Sequence, residues 1–447
     1  MSSDNITTEQ RGQEILDVFT TAFGALLAAD PAAFQVKFRK MAASAFAFYR
    51  GTACLFYHDL EFELESDKFL DEQSSRIWIH GDLHAENFGT YMDAQGRLIF
   101  NVNDFDEAYV GPFTWDVKRF AASIALIGYA KALSDKQITR LVKTYAAAYR
   151  ERIQTLATSE NQENVPRFTL DTAKGPLLDA LRAARMETRV GLLDSMTEIH
   201  NYERRFTPSG GAVTLDDETR EKVILAFTDY LKTLPAPKTQ TGTYRVKDIV
   251  GRRGVGIGSA GLPSYNLLLE GKSEAIENDV VIYMKQSTAA AVSRHVTNTA
   301  ASSYFHHEGH RTVISQRALQ AHADPWLGWT ELDGVGQLVA EVSPYAVDLD
   351  WSDINELHEM EAVVADLGRA TAMMHGAGDN DGRHSELVPF SPEQVIDKVV
   401  GDDEGGFVEA LVEFAHRYSG QARRDHQIFV DLFRNGRIQG LSVEDEE

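Results

Sequence analysis

The chain has 447 residues, of which 43% are hydrophobic and 25% charged, and its formal net charge at pH 7 is −23. This composition predicts a globular protein of two or three domains without extensive disorder, and the acidic balance argues against nucleic acid or an anionic membrane as a partner. The sequence has no apolar run long enough for a transmembrane helix, no signal-peptide pattern and a single cysteine, Cys54, so we expect a cytoplasmic protein without an internal disulfide.

The N-terminal half is predicted to be mostly helical, with a short β region inserted among the helices. Apolar residues recur at spacings of three and four in the first helix, at Ile15, Phe19 and Phe23. Two short runs rich in β-branched and aromatic residues, 76–80 and 97–104, predict strands on either side of a polar loop. Helices are predicted over 13–30, 34–60, 115–157 and 170–234.

The C-terminal half follows a stretch rich in Pro, Gly, Ser and Thr, 204–243, which is the best linker candidate. Two apolar runs joined by a polar loop, 264–269 and 280–285, predict a β-hairpin, and 336–342 predicts a further strand. Helical patterns are predicted over 288–302, 310–321 and 354–437, before an acidic tail. We therefore expect an α+β fold in three parts: a helical lobe over 1–235, a β-rich lobe over 236–345 and further helices over 346–447.

The strongest chemical signal is the polar loop between the first two predicted strands, which begins HGDLHAEN at His80. Phosphoryl transfer needs a carboxylate near the attacking hydroxyl and oxygen ligands for the Mg²⁺ that bridges the phosphates. Asp82 lies on the loop, Asn87 follows five residues later, and Asp104 ends the next strand. Each of these residue types is also common in plain turns, but their order between two strands favours the chemical interpretation.

The same loop allows a second interpretation as a metal site. His80, Asp82 and His84 alternate, and alternating residues of a strand face one side, where they would bind the metal of a hydrolase. This site gives no role to Asn87 or Asp104, so the phosphoryl-transfer interpretation explains more of the sequence.

A glycine-rich segment, GIGSAG, predicts a phosphate-binding loop. Its small residues are Gly256, Gly258, Ser259 and Gly261. A Rossmann loop opens a helix, whereas a proline and a strand-like sequence follow this segment, so a kinase-type loop between two strands fits better. Such a loop is followed by a lysine on a strand, which Lys285 supplies. The plain alternative is a surface hairpin with a solvated lysine.

Four stretches carry a resemblance to known families: MAASAFAFYRG at 41–51, the loop and the DFDE region at 80–122, VGIGSAG at 255–261 and QRALQAHADPWLGW at 316–329. The chain resembles the bacterial family catalogued as domain of unknown function 2252. Its loop region is also similar to the aminoglycoside phosphotransferases and choline kinases, a branch of the kinase-like enzymes. The resemblance implies a two-lobed protein-kinase-like fold that binds ATP with Mg²⁺, or with Mn²⁺ in its place.

The resemblance also implies roles for individual residues. Asp82 would orient the substrate hydroxyl or accept its proton, while Asn87 and Asp104 would hold Mg²⁺ and Asp106 would be an auxiliary metal carboxylate. Lys285 would reach the α- and β-phosphates together with the glycine loop. Tyr283, which lies on the same strand face as Lys285, would contact adenine.

Four further residues are predicted to support the site. His80 and His84 would hold the loop, and Asp116 would hydrogen-bond to its backbone, although a plain helix N-cap explains Asp116 equally well. Arg50 would bind phosphate or an anionic substrate, with an ordinary ion pair as the alternative.

The motifs occur in reversed order, because the glycine loop of an ordinary kinase precedes the catalytic loop. A circular permutation explains this order, with the strand hairpin, the hinge-like strand 338–342 and the helix 354–375 placed last in sequence. The helix over 368–376 would then be the one that normally runs into the catalytic loop. Lys285 lacks an obvious carboxylate partner, and Glu308 is the nearest candidate. Glu308 lies in a HHEGH segment that we interpret as a polar loop rather than a metal site.

These features predict an ATP-dependent phosphotransferase that moves the γ-phosphate of Mg-ATP to a hydroxyl of a small molecule. The acidic composition fits a neutral or cationic acceptor, bound by the helical segment 130–235, and no oligomeric state is predicted. Two alternatives stay open: a kinase-like enzyme that transfers AMP to a protein, and a non-catalytic nucleotide-binding module.

Overall fold

The computed structural model describes residues 7–159, 165–208, 211–235, 244–252, 261–378 and 386–440. They form an α+β protein. The helices of the first half are α1 (Thr8–Ala29), α2 (Pro31–Ala42), α3 (Ala45–Arg50), α4 (Ala53–Leu60), α5 (Phe113–Ala130), α6 (Asp135–Thr158), α7 (Gly175–Met186), α8 (Arg189–Met196) and α9 (Asp217–Tyr230). Those of the second half are α10 (Thr299–Tyr304), α11 (Glu308–Leu319), α12 (Leu357–Ala377), α13 (Pro392–Gly401) and α14 (Glu404–Arg434).

The strands form one large sheet and three small ones. They are β1 (Ile77–Ile79), β2 (Phe88–Met92), β3 (Leu98–Val102), β4 (Tyr109–Gly111), β5 (Thr197–His200), β6 (Glu203–Phe206), β7 (Ala212–Val213), β8 (Val246–Arg252), β9 (Ser264–Leu269), β10 (Val280–Gln286), β11 (Gly328–Leu332) and β12 (Val335–Glu341). The six-stranded sheet has the order β11-β12-β10-β9-β8-β7, and every pairing in it is antiparallel. β1 pairs with β4, β2 with β3, and β5 with β6.

The N-terminal helices follow from local capping signals. Thr7 and Gln10 form a capping box at the start of α1, and Asp30 caps α2 with Pro31 as its first residue. The single helix predicted over 34–60 is wrong, because the chain forms three helices there. Ser44 accepts a hydrogen bond from a backbone N–H of α3, which starts a new helix at that point.

The helices predicted over 170–234 are also interrupted. An antiparallel hairpin, β5–β6, lies between α8 and α9, and its turn residues Asn201 and Tyr202 both have positive φ. Two consecutive positive φ values are the geometry of a tight two-residue hairpin turn. These two short strands are rich in charged residues and lack the apolar alternation that predicts a strand, so the sequence did not indicate them.

The described residues form four hydrophobic cores, of which the two largest organise the fold. The larger core joins the N-terminal helices to the last helices of the chain. In it Phe19 and Phe38 contact Phe429 of α14 at ring-centroid distances of 5.9 and 5.6 Å. The smaller core lies between one face of the six-stranded sheet and α9. The short strands β1–β4 and their loops belong to the larger core, and they carry the predicted catalytic and metal-binding residues.

None of the helices in the described ranges combines the length and the apolar composition that crossing a lipid bilayer requires.

Candidate active site

The loop that follows β1 is held by a buried carboxylate. Asp116 accepts hydrogen bonds from the backbone N–H of His80 at 2.6 Å and from that of Gly81 at 3.0 Å. His375 of α12 lies 3.1 Å from the same carboxylate through Nε2, and Tyr149 contacts its Nδ1 at 2.8 Å. Asp116 lies inside α5, whose N-cap is Pro112, so the N-cap explanation is wrong. The carboxylate instead fixes the course of the loop.

Gly81 lies at a point of the loop where a side chain would not fit. Its φ is +80°, and a Cβ atom there would lie 2.0 Å from the backbone oxygen of Glu107. The carbonyl of Gly81 accepts a 2.5 Å hydrogen bond from the hydroxyl of Tyr57, which is buried in α4. The loop is therefore fixed on both sides of Gly81 by groups from distant helices.

Both histidines of the loop use their ring nitrogens to hold the backbone. His80 accepts from the N–H of Asp82 at Nδ1, and its Nε2 lies 2.8 Å from the carbonyl oxygen of Asn103. His84 accepts from the N–H of Glu86 at Nδ1. Burial lowers the pKa of both rings, which keeps them neutral at pH 7.

The strand on which the metal-hydrolase interpretation depends is absent, since β1 ends at Ile79 and the histidines lie in the loop. The part of the chain that the structure describes holds no group of three or more His, Cys, Asp and Glu side chains arranged to bind a metal ion.

Asp82 makes a close ion pair with a fully buried arginine. Its Oδ1 lies 2.8 Å from Nε of Arg119 and 2.5 Å from Nη2. The guanidinium stacks over the ring of Tyr49 at 4.3 Å, and Nη2 donates to the backbone oxygen of the same residue. Burial raises the pKa of Asp82 to about 7, while Arg119 opposes that rise. The carboxylate can therefore gain or lose a proton close to neutral pH.

Asn87 and Asp104 lie at the same end of the β2–β3 hairpin. Phe88 pairs with Val102, so Asn87 precedes one strand where Asp104 follows the other, and the carbonyl of Asn87 accepts from the N–H of Asn103. The side-chain amide nitrogen of Asn87 donates a hydrogen bond to the backbone oxygen of Asp82 at 2.9 Å, so the nitrogen faces the loop and the amide oxygen points away from it. Among the described residues Oδ1 of Asn87 has no hydrogen-bond partner.

Asp104 has the features of a cation ligand. Its φ of +58° turns the chain sharply after β3, and its side chain is open to the cavity although protein surrounds it. Loss of bulk water, followed by repulsion from Asp106, raises the pKa of Asp104. A bound cation would relieve this repulsion, and the free amide oxygen of Asn87 would be its second ligand. These two oxygen donors fit Mg²⁺, which commonly takes only one or two protein ligands beside phosphates.

Lys285 of β10 forms an ion pair with Asp106. Tyr283 and Lys285 lie on the opposite strand face from Ile282 and Met284, which pack in the smaller core, as the alternation predicts. The candidate partner suggested by the sequence was wrong, since Glu308 pairs with Arg311 instead, at 2.6 Å. The auxiliary metal role of Asp106 stays a prediction.

Arg311 is a site residue that the sequence did not indicate. It is 1% exposed and donates to the backbone oxygens of Asp106, Ala108 and Thr288 at 2.7 to 2.9 Å. One guanidinium thus ties α11 to the segment after Asp104 and to the segment after β10. No motif marks such a residue, because its partners are backbone atoms far away in sequence.

The carboxylates line a cavity of about 320 Å³, a volume typical of small-molecule sites. Asp82, Asp104 and Asp106 lie on its wall, and Arg50 lies beside them, paired with Glu86. The other walls come from α1, α2, α4 and the segment after β10. Residues of the N-terminal helices therefore line the same cavity as Asp82. None of the described residues of the segment 130–235, which was expected to bind the acceptor, lies on this wall.

The glycine segment lies in sequence between β8 and β9, two antiparallel neighbours in the large sheet. Gly256, Gly258 and Ser259 lie outside the described residues, but the flanking strands β8 and β9 pair up to Arg252 opposite Ser264. Gly261 has a φ of +74° and lies against Phe34 of α2. Its neighbour Leu262 lines the cavity. The described end of the segment therefore lies next to the cavity, and its phosphate-binding role stays a prediction.

The HHEGH segment forms the start of α11. His307 caps the helix by accepting from the N–H of His310, and His310 in turn stacks on His306 and contacts Trp329. The polar-loop interpretation is therefore wrong for Glu308–His310, which form the first turn of α11, with His310 buried.

A family model described as an uncharacterized protein conserved in bacteria, domain of unknown function 2252, matches residues 29–432. Because this match covers most of the chain, the protein belongs to that family. A search of curated proteins and a search of solved structures both found no match.

Proposed function

We propose that this chain is an ATP-dependent phosphotransferase that moves the γ-phosphate of Mg-ATP to a hydroxyl group of a small-molecule acceptor. The observation that carries the proposal is the meeting of a lysine from the large sheet with the carboxylates beside the loop. Lys285 contacts Asp106 although 179 residues separate them in sequence, and Asp82 and Asp104 line the same cavity as Asp106. Phosphoryl transfer needs such a set, with a cation for the phosphates, oxygen ligands for a metal and a carboxylate for the hydroxyl.

In the proposed reaction the acceptor oxygen forms a bond to the γ-phosphorus. The bond from that phosphorus to the β,γ-bridging oxygen breaks, and its electron pair stays on ADP. The hydroxyl proton passes to Asp82, whose pKa near 7 suits a proton acceptor at neutral pH. Arg119 holds this carboxylate in position and stabilises its charged form.

Asn87 and Asp104 would hold the Mg²⁺, which when bound supplies positive charge to neutralise the β- and γ-phosphates. Lys285 would exchange its contact with Asp106 for phosphate oxygens, because an ammonium binds phosphate as a point charge. Tyr283 would contact adenine from the same strand face. The backbone N–H groups of the glycine segment would complete the phosphate site.

The proposed fold is a circularly permuted, two-lobed kinase-like fold. α12 ends beside β1, where a Cβ atom on Gly378 would lie 2.9 Å from the ring of Trp78, and His375 of α12 contacts the carboxylate that holds the loop. A chain running from α12 directly into β1 would restore the usual motif order. This adjacency supports the permutation, since permutation requires the joined ends to lie close together.

The first test is thermal unfolding with ATP and Mg²⁺ for the wild type, Asp104→Ala and Asp179→Ala. Asp179 is an exposed carboxylate on α7 and serves as the matched control. A ligand at one hundred times its Kd stabilises the folded state by about 2.7 kcal/mol. We expect this stabilisation in the wild type and the control, and loss of its Mg²⁺-dependent part in Asp104→Ala.

Labelled ATP identifies the reaction. Release of ADP and transfer of the γ-label to a hydroxyl compound would support the proposal, whereas transfer of the α-label would indicate AMP transfer instead. Binding of nucleotide without transfer of either label would favour a non-catalytic module. No response to any nucleotide with Mg²⁺ or Mn²⁺ would overturn the proposal.

A further inference from the structure

The cavity contains a buried lysine that the proposed reaction does not use. Lys37 of α2 is 5% exposed and lines the cavity together with Asp82. Its neighbours on the helix face, Phe34, Phe38 and Met41, are buried in the larger core. Lys37 lies on the same face, so its aliphatic stem is buried as well. Its ammonium lies 4.2 Å from the ring centroid of Phe23 and 5.5 Å from that of Phe34.

This ammonium has no counterion in the described part of the chain, where no hydrogen bond or ion pair to Lys37 is formed. Burying an unpaired charge is unfavourable, and buried charges in proteins are normally paired. The two aromatic rings compensate only in part, since the attraction of a cation to a ring face is weaker than that of a buried ion pair. Burial accordingly lowers the pKa of Lys37. A lysine kept in this position and facing a cavity suggests that a ligand supplies the missing anion.

The cations of the cavity separate into two groups. Lys285 and Arg50 act electrostatically on Asp104, at the end assigned to metal and phosphate. Lys37 instead acts electrostatically on Cys54 of α4, on Glu107 and on Asp82, all of which line the same cavity, and it makes no direct ion pair with either carboxylate. In the proposed reaction the acceptor hydroxyl lies at Asp82, so Lys37 is placed to contact the acceptor rather than the nucleotide.

We infer that Lys37 binds an oxyanion, a carboxylate or a phosphate, carried by the acceptor. The inference rests on the proposed function and defines its substrate class: a hydroxyl compound with an anionic group, whose apolar part lies against Phe23 and Phe34. It replaces the expectation of a neutral or cationic acceptor, which was based on net composition. A negative overall charge does not exclude an anionic ligand when the site itself holds a buried cation.

The test measures binding of inorganic phosphate and of acetate by calorimetry at constant ionic strength. The proteins are the wild type, Lys37→Met, Lys37→Arg and Lys40→Met, each with and without a non-hydrolysable ATP analogue and Mg²⁺. Methionine keeps an unbranched apolar side chain between the two rings, and arginine keeps the charge. Lys40 is an exposed lysine on the same helix and serves as the control.

We expect at least one of the two anions to bind the wild type, the control and Lys37→Arg. Lys37→Met should bind it about tenfold more weakly, which corresponds to about 1.4 kcal/mol. Binding should persist when the analogue fills the γ-phosphate position.

Three results would overturn the inference: no binding of either anion to the wild type, equal binding to Lys37→Met, or displacement of the anion by the ATP analogue. The last result would assign Lys37 to the nucleotide phosphates. If nucleotide binding fails while the anion still depends on Lys37, the proposed function is wrong but the anion site stands.

Discussion

The two sides of the site are held in different ways. On the loop side, Asp116, His375 and Arg119 are fully buried, and each makes hydrogen bonds to the loop or to its supports. On the sheet side, Lys285 is positioned by strand pairing and by one ion pair with Asp106. The side chain of Lys285 is 19% exposed and that of Asp106 is 33% exposed.

The buried hydrogen bonds suit a side chain that has to stay in one position, and the partly exposed ion pair suits one that has to change partners. A carboxylate that receives a proton has to be held within a fraction of an ångström, and buried hydrogen bonds with no water to compete achieve this. A lysine that contacts phosphate has to release its resting partner when the nucleotide arrives, which a partly exposed ion pair allows. If this contrast holds, substitutions on the loop side should lower the free energy of unfolding more than substitutions on the sheet side.

Replacing Arg119 with methionine should have the largest effect. It leaves the carboxylate of Asp82 without its partner in a desolvated position, and removal of one partner from a buried pair costs about 3 to 5 kcal/mol. The free energy of unfolding in urea measures the loss. The double variant with Asp82→Asn should recover part of it, because no unpaired charge then remains. A loss in the free energy of unfolding below about 1 kcal/mol would contradict the prediction, because an exposed ion pair contributes no more than that.

Asp116→Asn should lower the free energy of unfolding by about 2 to 3 kcal/mol, because hydrogen bonds to a charged acceptor contribute more than neutral ones. The amide also presents an N–H group to one of its former partners, the N–H groups of His80 and Gly81 or the ring of His375. Urea unfolding is again the measurement. If His375→Ala alone gives the same loss, the carboxylate acts chiefly through the histidine and not through the loop backbone.

His84 should make stability depend on pH. Its pKa lies well below 6.5 in the folded state, because burial disfavours the charged ring, whereas the unfolded chain titrates at the ordinary value. Below pH 6.5 the unfolded state therefore binds a proton that the folded state does not. Relative to His84→Asn, whose Oδ1 can replace Nδ1 as acceptor, the wild type should lose up to about 1.4 kcal/mol per pH unit as the pH falls. Urea midpoints between pH 5 and 8 measure this, and parallel curves for the two proteins would contradict the prediction.

Asp106→Asn should have the smallest effect, below about 1 kcal/mol, since its ion pair with Lys285 is partly exposed. Lys285→Met is the matched variant from the other side of the pair and should be equally mild. Both should unfold near the wild-type urea concentration. A loss as large as that of Asp116→Asn would remove the distinction between the two sides of the site.

Local sequence patterns predicted the part of the site that is local. The strands β1 and β3 were predicted from short-range periodicity, together with the loop that follows β1. The strand β2, which directly follows this loop and pairs with β3, was not predicted, and this pairing is what places Asn87 and Asp104 at the same end of one hairpin. The face shared by Tyr283 and Lys285 follows from strand alternation. The predicted elements were wrong in 34–60 and 170–234, where a serine cap and a tight hairpin turn override helical periodicity.

Composition and local patterns were sufficient to infer the α+β class, the family and the charged residues of the loop that follows β1. The tertiary structure alone decided which charged residues act together: Asp106 as the partner of Lys285, Arg119 as the partner of Asp82, Arg311 on three backbone oxygens and Lys37 in the cavity wall. The physical reason is that these pairings join elements far apart in the chain. Burial, and not spacing, selects them, because a charge removed from water has to find its partner wherever packing places one.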